Sequence, residues 1–401
     1  MKSRLSFYKS IIVSFFACLF LASTAMAQND DARAKYLLES MLRQTEADAN
    51  WFAQSFTSQV PVSQINDIVG RIKGQLGNLE RVDGSGNDWR LVFAKFTVPT
   101  QIAIDDDGRI TGLFFRPPTP RSDLDPGDAA SDLLQAVSGQ ASLYVRKGER
   151  SVRSENSTAP MAVGSAFKML VLAEYERRIA AGTLQRSDVV TLNPLNKSLP
   201  SGSLQNWPDG TPITLATAAG LMISQSDNTA TDTLIDAVGR ARLEAISKRN
   251  TPFLKTTEVF KLKAADQETN RKAYLESNTS GRRSLLDTVS KRPMPTISEL
   301  DPEPSIGIGW FFTTEELCRM AVDVIDAPAM RLSSGPISPE GWQTVAYKGG
   351  SDAGVLNLTA VGRYSDGSTA CASLTVNTSQ PIQNQNELAL KFGALFASLA
   401  E

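Results

Sequence analysis

The spacing of apolar residues divides the chain into helical and extended regions. From about Asp31 to Gly77 the apolar side chains recur at helical intervals, which predicts two helices separated near Pro61. Short runs rich in β-branched and aromatic residues follow at Arg81–Asp83, Trp89–Val98, Gln101–Ile104 and Ile110–Phe115, with glycine-containing turns between several of them. Helices followed by an antiparallel meander predict a small N-terminal α+β domain.

A second, larger domain is expected after a proline-rich segment. Residues 116–127 contain four prolines and no apolar periodicity, which is typical of a semi-rigid linker. Beyond it the pattern predicts a helix near Ala129–Val137, strands at Ala141–Arg146 and Ser151–Asn156, a long mainly helical region to Val324, strands at Gln343–Lys348, Gly354–Tyr364 and Ala370–Asn377, and a terminal helix at Asn386–Ala400. Strands at both ends with helices between them predict one antiparallel sheet flanked by helices, so the whole chain is expected to be α+β with two domains.

Composition narrows the range of functions. The 401 residues include 41 basic and 43 acidic side chains, and a formal net charge of −2 gives no reason to expect nucleic acid or anionic lipid as a partner. The chain contains no histidine, which excludes Ser-His-Asp and Cys-His catalysis and leaves a catalytic zinc site without its usual ligands. No metal or cofactor is expected. A hydrolase of this composition must take its base from Lys, Asp, Glu or Tyr.

The first 27 residues have the three parts of a secretory signal. Basic residues precede an apolar run from Ile11 to Ala22, and Ala25-Met26-Ala27 forms a small-x-small cleavage site. The mature chain is therefore expected to start at Gln28, to be periplasmic or secreted, and to have no membrane span, because a span needs about 20 apolar residues. Cys318 and Cys371 then remain, and the sequence allows either one disulfide or two buried thiols.

The first candidate for chemistry is Ser165-Ala166-Phe167-Lys168, which opens a helix that is apolar on most faces. A residue three positions on lies on the same helical face, so the Lys168 amine can reach the Ser165 hydroxyl, and burial would favour the neutral amine. The N–H of Ser165 can face a developing oxyanion. The pattern alone is weak, since Ser6 and Lys9 have the same spacing within the signal and a helix cap explains it equally well.

The second candidate is Ser226-Asp227-Asn228, which lies between two helical runs. These residue types are preferred helix caps, which is the structural explanation. The functional interpretation gives Ser226 the transfer of a proton to the leaving group and Asn228 the binding of a substrate carbonyl.

The third candidate is Lys348-Gly349-Gly350-Ser351 at the end of an apolar strand. Two adjacent glycines at a strand end are explained by a bulge or a turn. In the functional interpretation the glycines, Gly350 included, let a substrate backbone lie along the strand, and the N–H of Ser351 is the second oxyanion donor.

Taken together and in this order, the three motifs resemble the serine β-lactamase and penicillin-binding family, and the class A enzymes most closely. The resemblance covers about residues 128–401, and the two-domain layout is similar to class A-like proteins of clavulanic-acid-type clusters, which carry a steroid-isomerase-like domain. It implies that Ser165 is acylated, that Lys168 is base or relay, that Ser226 and Lys348 move protons and anchor a substrate carboxylate, and that Asn228 orients the substrate.

Two departures from the family are visible. Class A enzymes activate the deacylating water with a glutamate in a Glu-x-x-Leu-Asn loop, and no such motif follows Asn228 before Thr313. Glu258 lies in the corresponding part of the chain and is a candidate for that base, but its run is more typical of a strand, where it would face solvent. The third motif has Gly349 where the family has a hydroxyl residue, and its hydroxyl moves to Ser351.

These observations predict a signal peptide at 1–27, an N-terminal domain at 28–117, a linker at 118–128 and a hydrolase domain at 129–401. The expected function is a serine hydrolase that forms an acyl-enzyme through Ser165 with a β-lactam, ester or peptide-like small molecule. Two alternatives remain, a D,D-peptidase or esterase, and a β-lactam or peptidoglycan-binding protein that is acylated without turnover.

Overall fold

The computed structural model describes residues 30–116, 118–121, 123–332 and 335–400, and the expected signal segment lies outside these ranges. The chain divides between Arg121 and Ser122 into two compact units. Each unit combines helices with an antiparallel sheet, so the α+β class is confirmed. In the described residues no helix has both the length and the apolar character needed to cross a membrane.

The first unit places helices before a sheet. Its elements are α1 (30–43), α2 (Gln54–Thr57), α3 (Val62–Leu76), β1 (Leu79–Ser85), β2 (Asp88–Phe93), β3 (Phe96–Ile104), β4 (Ile110–Phe115) and β5 (Thr119–Pro120). The strands are antiparallel in the order β1-β2-β3-β4, and β5 pairs with β3. Trp51, Phe52 and Trp89 are buried in this unit. The resemblance of the unit to a steroid-isomerase-like domain stays a prediction.

The second unit contains the three motifs. Its elements are α4 (Pro126–Gln135), β6 (Gln140–Lys147), β7 (Arg150–Glu155), β8 (Met161–Ala162), α5 (Lys168–Ala180), β9 (Val189–Thr191), β10 (Pro212–Thr214), α6 (Leu215–Ser224), α7 (Asn228–Val238), α8 (Arg240–Ile246), α9 (Thr256–Leu262), α10 (Glu268–Glu276), α11 (Thr279–Val289), β11 (Phe311–Phe312), α12 (Thr314–Asp323), β12 (Thr344–Asp352), β13 (Val355–Arg363), β14 (Thr369–Asn377) and α13 (Gln385–Ala397).

A five-stranded antiparallel sheet in the order β12-β13-β14-β6-β7 divides the apolar core of this unit. One side packs against α5, α6, α7 and α12, and the other side packs against α4 and α13. Strands β13 and β14 are buried along nearly their whole length because helices cover both faces. The predicted closure of one sheet by distant parts of the chain is therefore observed, and β12 forms one edge of the sheet.

Two local predictions were wrong. The run Trp89–Val98 is two strands, with a bend at residues 94 and 95 that no glycine or asparagine marks in the sequence. The segment around Glu258 is the helix α9 and not a strand, although its residues are rich in β-branched side chains. The carboxylate of Asp232 on α7 accepts hydrogen bonds from the backbone N–H groups of Thr256 and Thr257, which fixes the start of α9 from a distant part of the chain.

Cys318 on α12 and Cys371 on β14 form a disulfide, which resolves the alternative that the sequence left open. Both residues are buried, and the bond joins a helix to the central part of the sheet across 53 residues of sequence. Closing a loop of this length restricts the unfolded chain and thereby stabilises the folded unit.

Replacing both cysteines, as Cys318→Ala/Cys371→Ala, is expected to reduce the free energy of opening of β14 by about 4 kcal/mol, from the loop-closure entropy of the unfolded chain. Hydrogen exchange of the β14 amides, measured for both proteins, gives this difference directly. Equal protection of β14 in the two proteins would show that the disulfide does not stabilise the unit.

Candidate active site

Ser165 lies in a short 3-10 turn, Gly164–Phe167, that continues directly into α5. The aromatic ring of Phe167 stacks on Trp310 with 3.5 Å between ring centroids and contacts Phe253 edge-on at 5.9 Å. Helix α5 is buried along its first two turns, as its apolar sequence predicts. The turn that carries Ser165 is therefore fixed by the packing of the residues that follow it.

The edge strand β12 passes very close to this turn, and glycines make the approach possible. A Cβ atom on Gly350 would overlap the carbonyl oxygen of Val163 and lie 2.5 Å from the backbone nitrogen of Ser165. Gly164 has a φ of 49°, and a Cβ atom on it would lie 2.9 Å from the backbone nitrogen of Ser351. Only residues without side chains fit at both positions, so the N–H groups of Ser165 and Ser351 lie at one narrow junction.

The amine of Lys168 is fully buried and faces the second motif. Its Nζ lies 2.6 Å from the carbonyl oxygen of Ser226, 3.1 Å from the hydroxyl of Ser226 and 2.7 Å from Oδ1 of Asn228. In the described part of the chain no hydrogen bond joins Lys168 to Ser165, so the contact that the helical spacing predicts between them is not observed. The buried amine of Lys168 is thus held by Ser226 and Asn228 of the second motif.

Burial lowers the pKa of Lys168 well below its ordinary value, and the positive charge of Lys348 lowers it further, while Asp227 and Asp232 act in the opposite direction. Burial also lowers the pKa of Lys348, to about 7. Desolvation therefore disfavours the charged amine at both positions, as the apolar context of Lys168 predicts for that residue.

The hydroxyl of Ser226 lies between the two lysines, since Nζ of Lys348 is also 3.1 Å from it. The carbonyl of Ser226 and Oδ1 of Asn228 can only accept hydrogen bonds, so a neutral Lys168 donates its two protons to them. The lone pair of the Lys168 amine can then accept a hydrogen bond from the Ser226 hydroxyl. The oxygen of that hydroxyl accepts a hydrogen bond from Lys348. This arrangement forms a continuous path for a proton from Lys348 through Ser226 to Lys168.

Ser226 adopts a left-handed backbone conformation with a φ of 54°, which costs about 1 kcal/mol or more for a residue with a side chain. Its carbonyl accepts a further hydrogen bond from the hydroxyl of Ser201 at 2.7 Å. The next residue, Asp227, is fully buried and accepts from the N–H groups of Ser203, Leu204 and Ala230. These contacts stabilise the strained conformation that directs the Ser226 hydroxyl between the lysines.

Asn228 begins α7 and links the motif to a neighbouring loop. Its amide donates to the carbonyl of Leu199, and its backbone N–H donates to the carbonyl of Ser201 at 3.1 Å. Because Oδ1 already accepts from Lys168, the amide group is fixed in orientation. Asn228 therefore positions Lys168 in addition to lining the cavity described next.

The three motifs meet in one open cavity of about 470 Å³. Its lining residues are Ser165, Pro200, Ser201, Ile223, Ser224, Gln225, Ser226, Asn228, Phe260, Tyr347, Lys348, Gly349, Gly350, Ser351, Leu356, Asn357, Leu358, Gln385, Asn386 and Ala389. All site residues expected from the sequence line this cavity except Lys168, which lies behind its wall. Among the lining residues in the described ranges there is no carboxylate, and Lys348 is the one basic side chain.

Glu258 lies outside this cavity and is committed to structural contacts. One carboxylate oxygen accepts from the guanidinium of Arg240 at 2.7 Å, and the other accepts from the backbone N–H of Lys255 at 2.8 Å. The interpretation of Glu258 as a water-activating base is therefore not supported by its position, and the expectation that it faces solvent is wrong because the residue is buried. The residue that α9 contributes to the cavity is Phe260.

Phe260 and Tyr347 are two of the lining residues that sequence reasoning missed. Phe260 carried no chemical signal because it lies in a segment interpreted as a strand. Tyr347 precedes the third motif and looks like an ordinary strand residue, yet it lines the cavity beside Lys348. The available signal for Tyr347 was Gly349. A glycine two positions from a large aromatic residue on the same strand indicates space that the aromatic side chain can occupy.

A model of a known protein family matches part of the second unit. Residues 126–285 match the model described as the Beta-lactamase enzyme family, which is less than half of the chain. No curated protein matches the sequence significantly.

Solved structures of similar fold cover about two thirds of the chain. A β-lactamase from Sphaerobacter thermophilus is 20% identical, with a TM-score of 0.47, and the match covers 69% of this chain and 97% of that chain. A protein described as PBP-A is 17% identical, with a TM-score of 0.46, over 69% of this chain and 96% of that one. A β-lactamase from Francisella tularensis is 11% identical, with a TM-score of 0.45, over 68% and 97%. At these identities and scores the likenesses do not assign an activity to this chain.

The family match includes the first two motifs, with Ser165, Lys168, Ser226 and Asn228, and ends before Lys348. Over residues 126–285 the chain is thus similar to the β-lactamase enzyme family.

Proposed function

We propose that the protein is a serine hydrolase of the β-lactamase type, in which Ser165 forms a long-lived acyl-enzyme with β-lactams or related amides and esters. The observation that carries this proposal is the path Lys348–Ser226–Lys168 beside Ser165, built from two buried lysines with lowered pKa values. A site without histidine needs neutral amines for proton transfer, and burial is what makes them available.

Acylation begins when the Ser165 oxygen attacks the substrate carbonyl carbon and its proton passes to the neutral amine of Lys168, whose lone pair turns for this step from the Ser226 hydroxyl to the Ser165 hydroxyl. The N–H groups of Ser165 and Ser351 donate to the oxygen that becomes negatively charged. The carbonyl carbon then releases the amide nitrogen or ester oxygen, which takes the proton of the Ser226 hydroxyl, and Lys168 returns a proton to Ser226. The products of this stage are an ester on Ser165 and a protonated leaving group, so protons balance.

Hydrolysis of that ester needs a water molecule and a base to deprotonate it. Within the described ranges, the lining of the cavity offers hydroxyls, amides and one lysine but no carboxylate, and α9 contributes the apolar side chain of Phe260. From this lining we expect slow hydrolysis of the ester on Ser165. The same observation favours the second candidate function, a β-lactam or peptidoglycan-binding protein that is acylated once. A D,D-peptidase or esterase has the same first step and differs in the leaving group.

We further propose an exported, periplasmic or secreted, location. The disulfide Cys318–Cys371 supports it, because such bonds persist in oxidising compartments. The signal sequence interpreted at residues 1–27 agrees with this proposal and lies outside the described residues.

Incubation with benzylpenicillin is expected to add one intact ligand mass to the protein, because opening of the lactam ring leaves both fragments attached. Intact-mass spectrometry followed by peptide mapping should place the adduct on Ser165. The variant Ser165→Ala should show none, while Ser131→Ala on α4, whose hydroxyl bonds the carbonyl of Gly127, should behave like the original protein. No adduct or turnover with penicillins, cephalosporins and activated esters would refute the function.

The lifetime of that adduct is expected to be limited by the missing base. Phe260→Glu places a carboxylate on the cavity wall and should shorten the lifetime by about 100-fold, the lower range for general-base catalysis. Phe260→Gln is the matched control, with similar size and no basic group, and should leave the lifetime within about threefold of the original. The adduct on each protein is followed over time by intact mass. Equal shortening by Gln and Glu would show that loss of the ring, and not a base, controls release.

A further inference from the structure

Asn377 ends β14 and contacts the short strand β8, which leads into the turn that carries Ser165. Strand β8 pairs with β11 along one edge. Next to this pair the N–H of Val163 donates to the carbonyl of Trp310 at 3.1 Å. Successive residues of an antiparallel pair alternate between bonding across the pair and pointing away from it, so the backbone groups of Ala162 point away from β11.

The side chain of Asn377 takes the place of a partner strand on this outer edge of β8. Its Oδ1 accepts a hydrogen bond from the N–H of Ala162 at 3.0 Å, and its Nδ2 donates to the carbonyl oxygen of Ala162 at 2.9 Å. The other proton of Nδ2 goes to the carbonyl of Val376 at 2.8 Å. Asn377 and Ala162 are both buried, so these bonds satisfy backbone groups that water does not reach.

The contact at Ala162 lies three residues before the nucleophile, and further contacts hold the backbone between them. The carbonyl of Val163 accepts a hydrogen bond from the N–H of Ala166 at 3.2 Å, which closes the turn. A Cβ atom on Gly350 would overlap the same carbonyl, so β12 passes directly against this backbone. A shift of Ala162 would therefore move Ser165 relative to β12.

We propose that Asn377 is a positioning residue, whose side-chain amide replaces a strand partner of β8 and thereby holds the Ser165 hydroxyl in place for acylation. This inference rests on the proposed function for the reaction of Ser165. Asn377 is not among the residues that line the cavity. Its removal should therefore slow the chemical step and leave the binding of substrate unchanged, because a small displacement of a reacting group lowers the rate strongly.

Quenched-flow mixing with benzylpenicillin, followed by intact mass, separates the two effects. Adduct formation over a range of concentrations gives the limiting rate of acylation and the concentration at which half of that rate is reached. Asn377→Leu keeps the branched shape of the side chain and removes both bonds to Ala162. It should lower the limiting rate about tenfold or more, since a displacement of about 1 Å can cost about 100-fold, and leave the half-saturating concentration unchanged.

Ser373→Ala on the same strand is the matched control. Ser373 is buried, and its hydroxyl shares a hydrogen bond with Thr359 of β13 at 2.8 Å and, in the described residues, none with β8. This variant should change neither the limiting rate nor the half-saturating concentration. Asn377→Ala removes the same bonds to Ala162 without adding an apolar side chain, and it takes the same test if Asn377→Leu does not fold.

Hydrogen exchange tests the position of the turn without the reaction. Asn377→Leu should speed exchange of the Ala162 amide, which loses its partner. It should also speed exchange at Val163 and Ala166, whose amides bond to Trp310 and within the turn and not to Asn377. Faster exchange at Ala162 alone would show that the effect of the amide ends at β8.

Three further results would overturn the inference. These are an original limiting rate in both Asn377 variants, a change in the half-saturating concentration in place of the rate, and failure of both variants to fold while Ser373→Ala folds, which would limit Asn377 to stability. Failure of the proposed function has a different signature. If Ser165 of the original protein is never acylated, the function is refuted, and exchange at Val163 and Ala166 still decides whether Asn377 holds the turn.

Discussion

The burial of two lysine amines around one serine hydroxyl is the interaction on which the site depends. Removing an amine from water disfavours its charged form, so burial lowers the pKa of both Lys168 and Lys348, and the charge of Lys348 lowers the pKa of Lys168 further. Between pH 7 and 10.5 the unfolded chain therefore binds more protons at Lys348 than the folded chain does. This lysine lowers stability at neutral pH, and the loss diminishes as the pH rises towards 10.5. This destabilising lysine lies in the cavity, where a neutral amine can take part in proton transfer.

The rest of the second unit holds these groups in place. The sheet positions Lys348 on its edge strand, Phe167 fixes the turn before Lys168, and Asp227 stabilises the strained conformation of Ser226. Gly350 lets the edge strand approach Ser165 to a distance that any side chain would prevent. Three separate parts of the chain thus meet within hydrogen-bonding distance of one another, and a change in any of them alters the geometry of the others.

The residues of this site that could be predicted from the sequence belong to short motifs. Ser165, Ser226 and Lys348 were identifiable because each belongs to a pattern of neighbouring residues. The pairing of Cys318 with Cys371 could not be decided, because it depends on the distance between a helix and a strand. The helix α9 was missed for a similar reason, since its start is fixed by Asp232 from α7. Tyr347 was missed because its place in the cavity depends on the space left at Gly349.

The proposed chemistry depends on the protonation of the buried lysines, and NMR titration of the lysine side chains measures that protonation directly. Carbon and nitrogen resonances of Lys168 and Lys348, assigned with Lys168→Arg and Lys348→Arg, are followed from pH 5 to 11. We expect Lys348 to titrate at about pH 7 and Lys168 well below 10.5. Titration of both residues together with the exposed lysines, near 10.5, would contradict the lysine-based site.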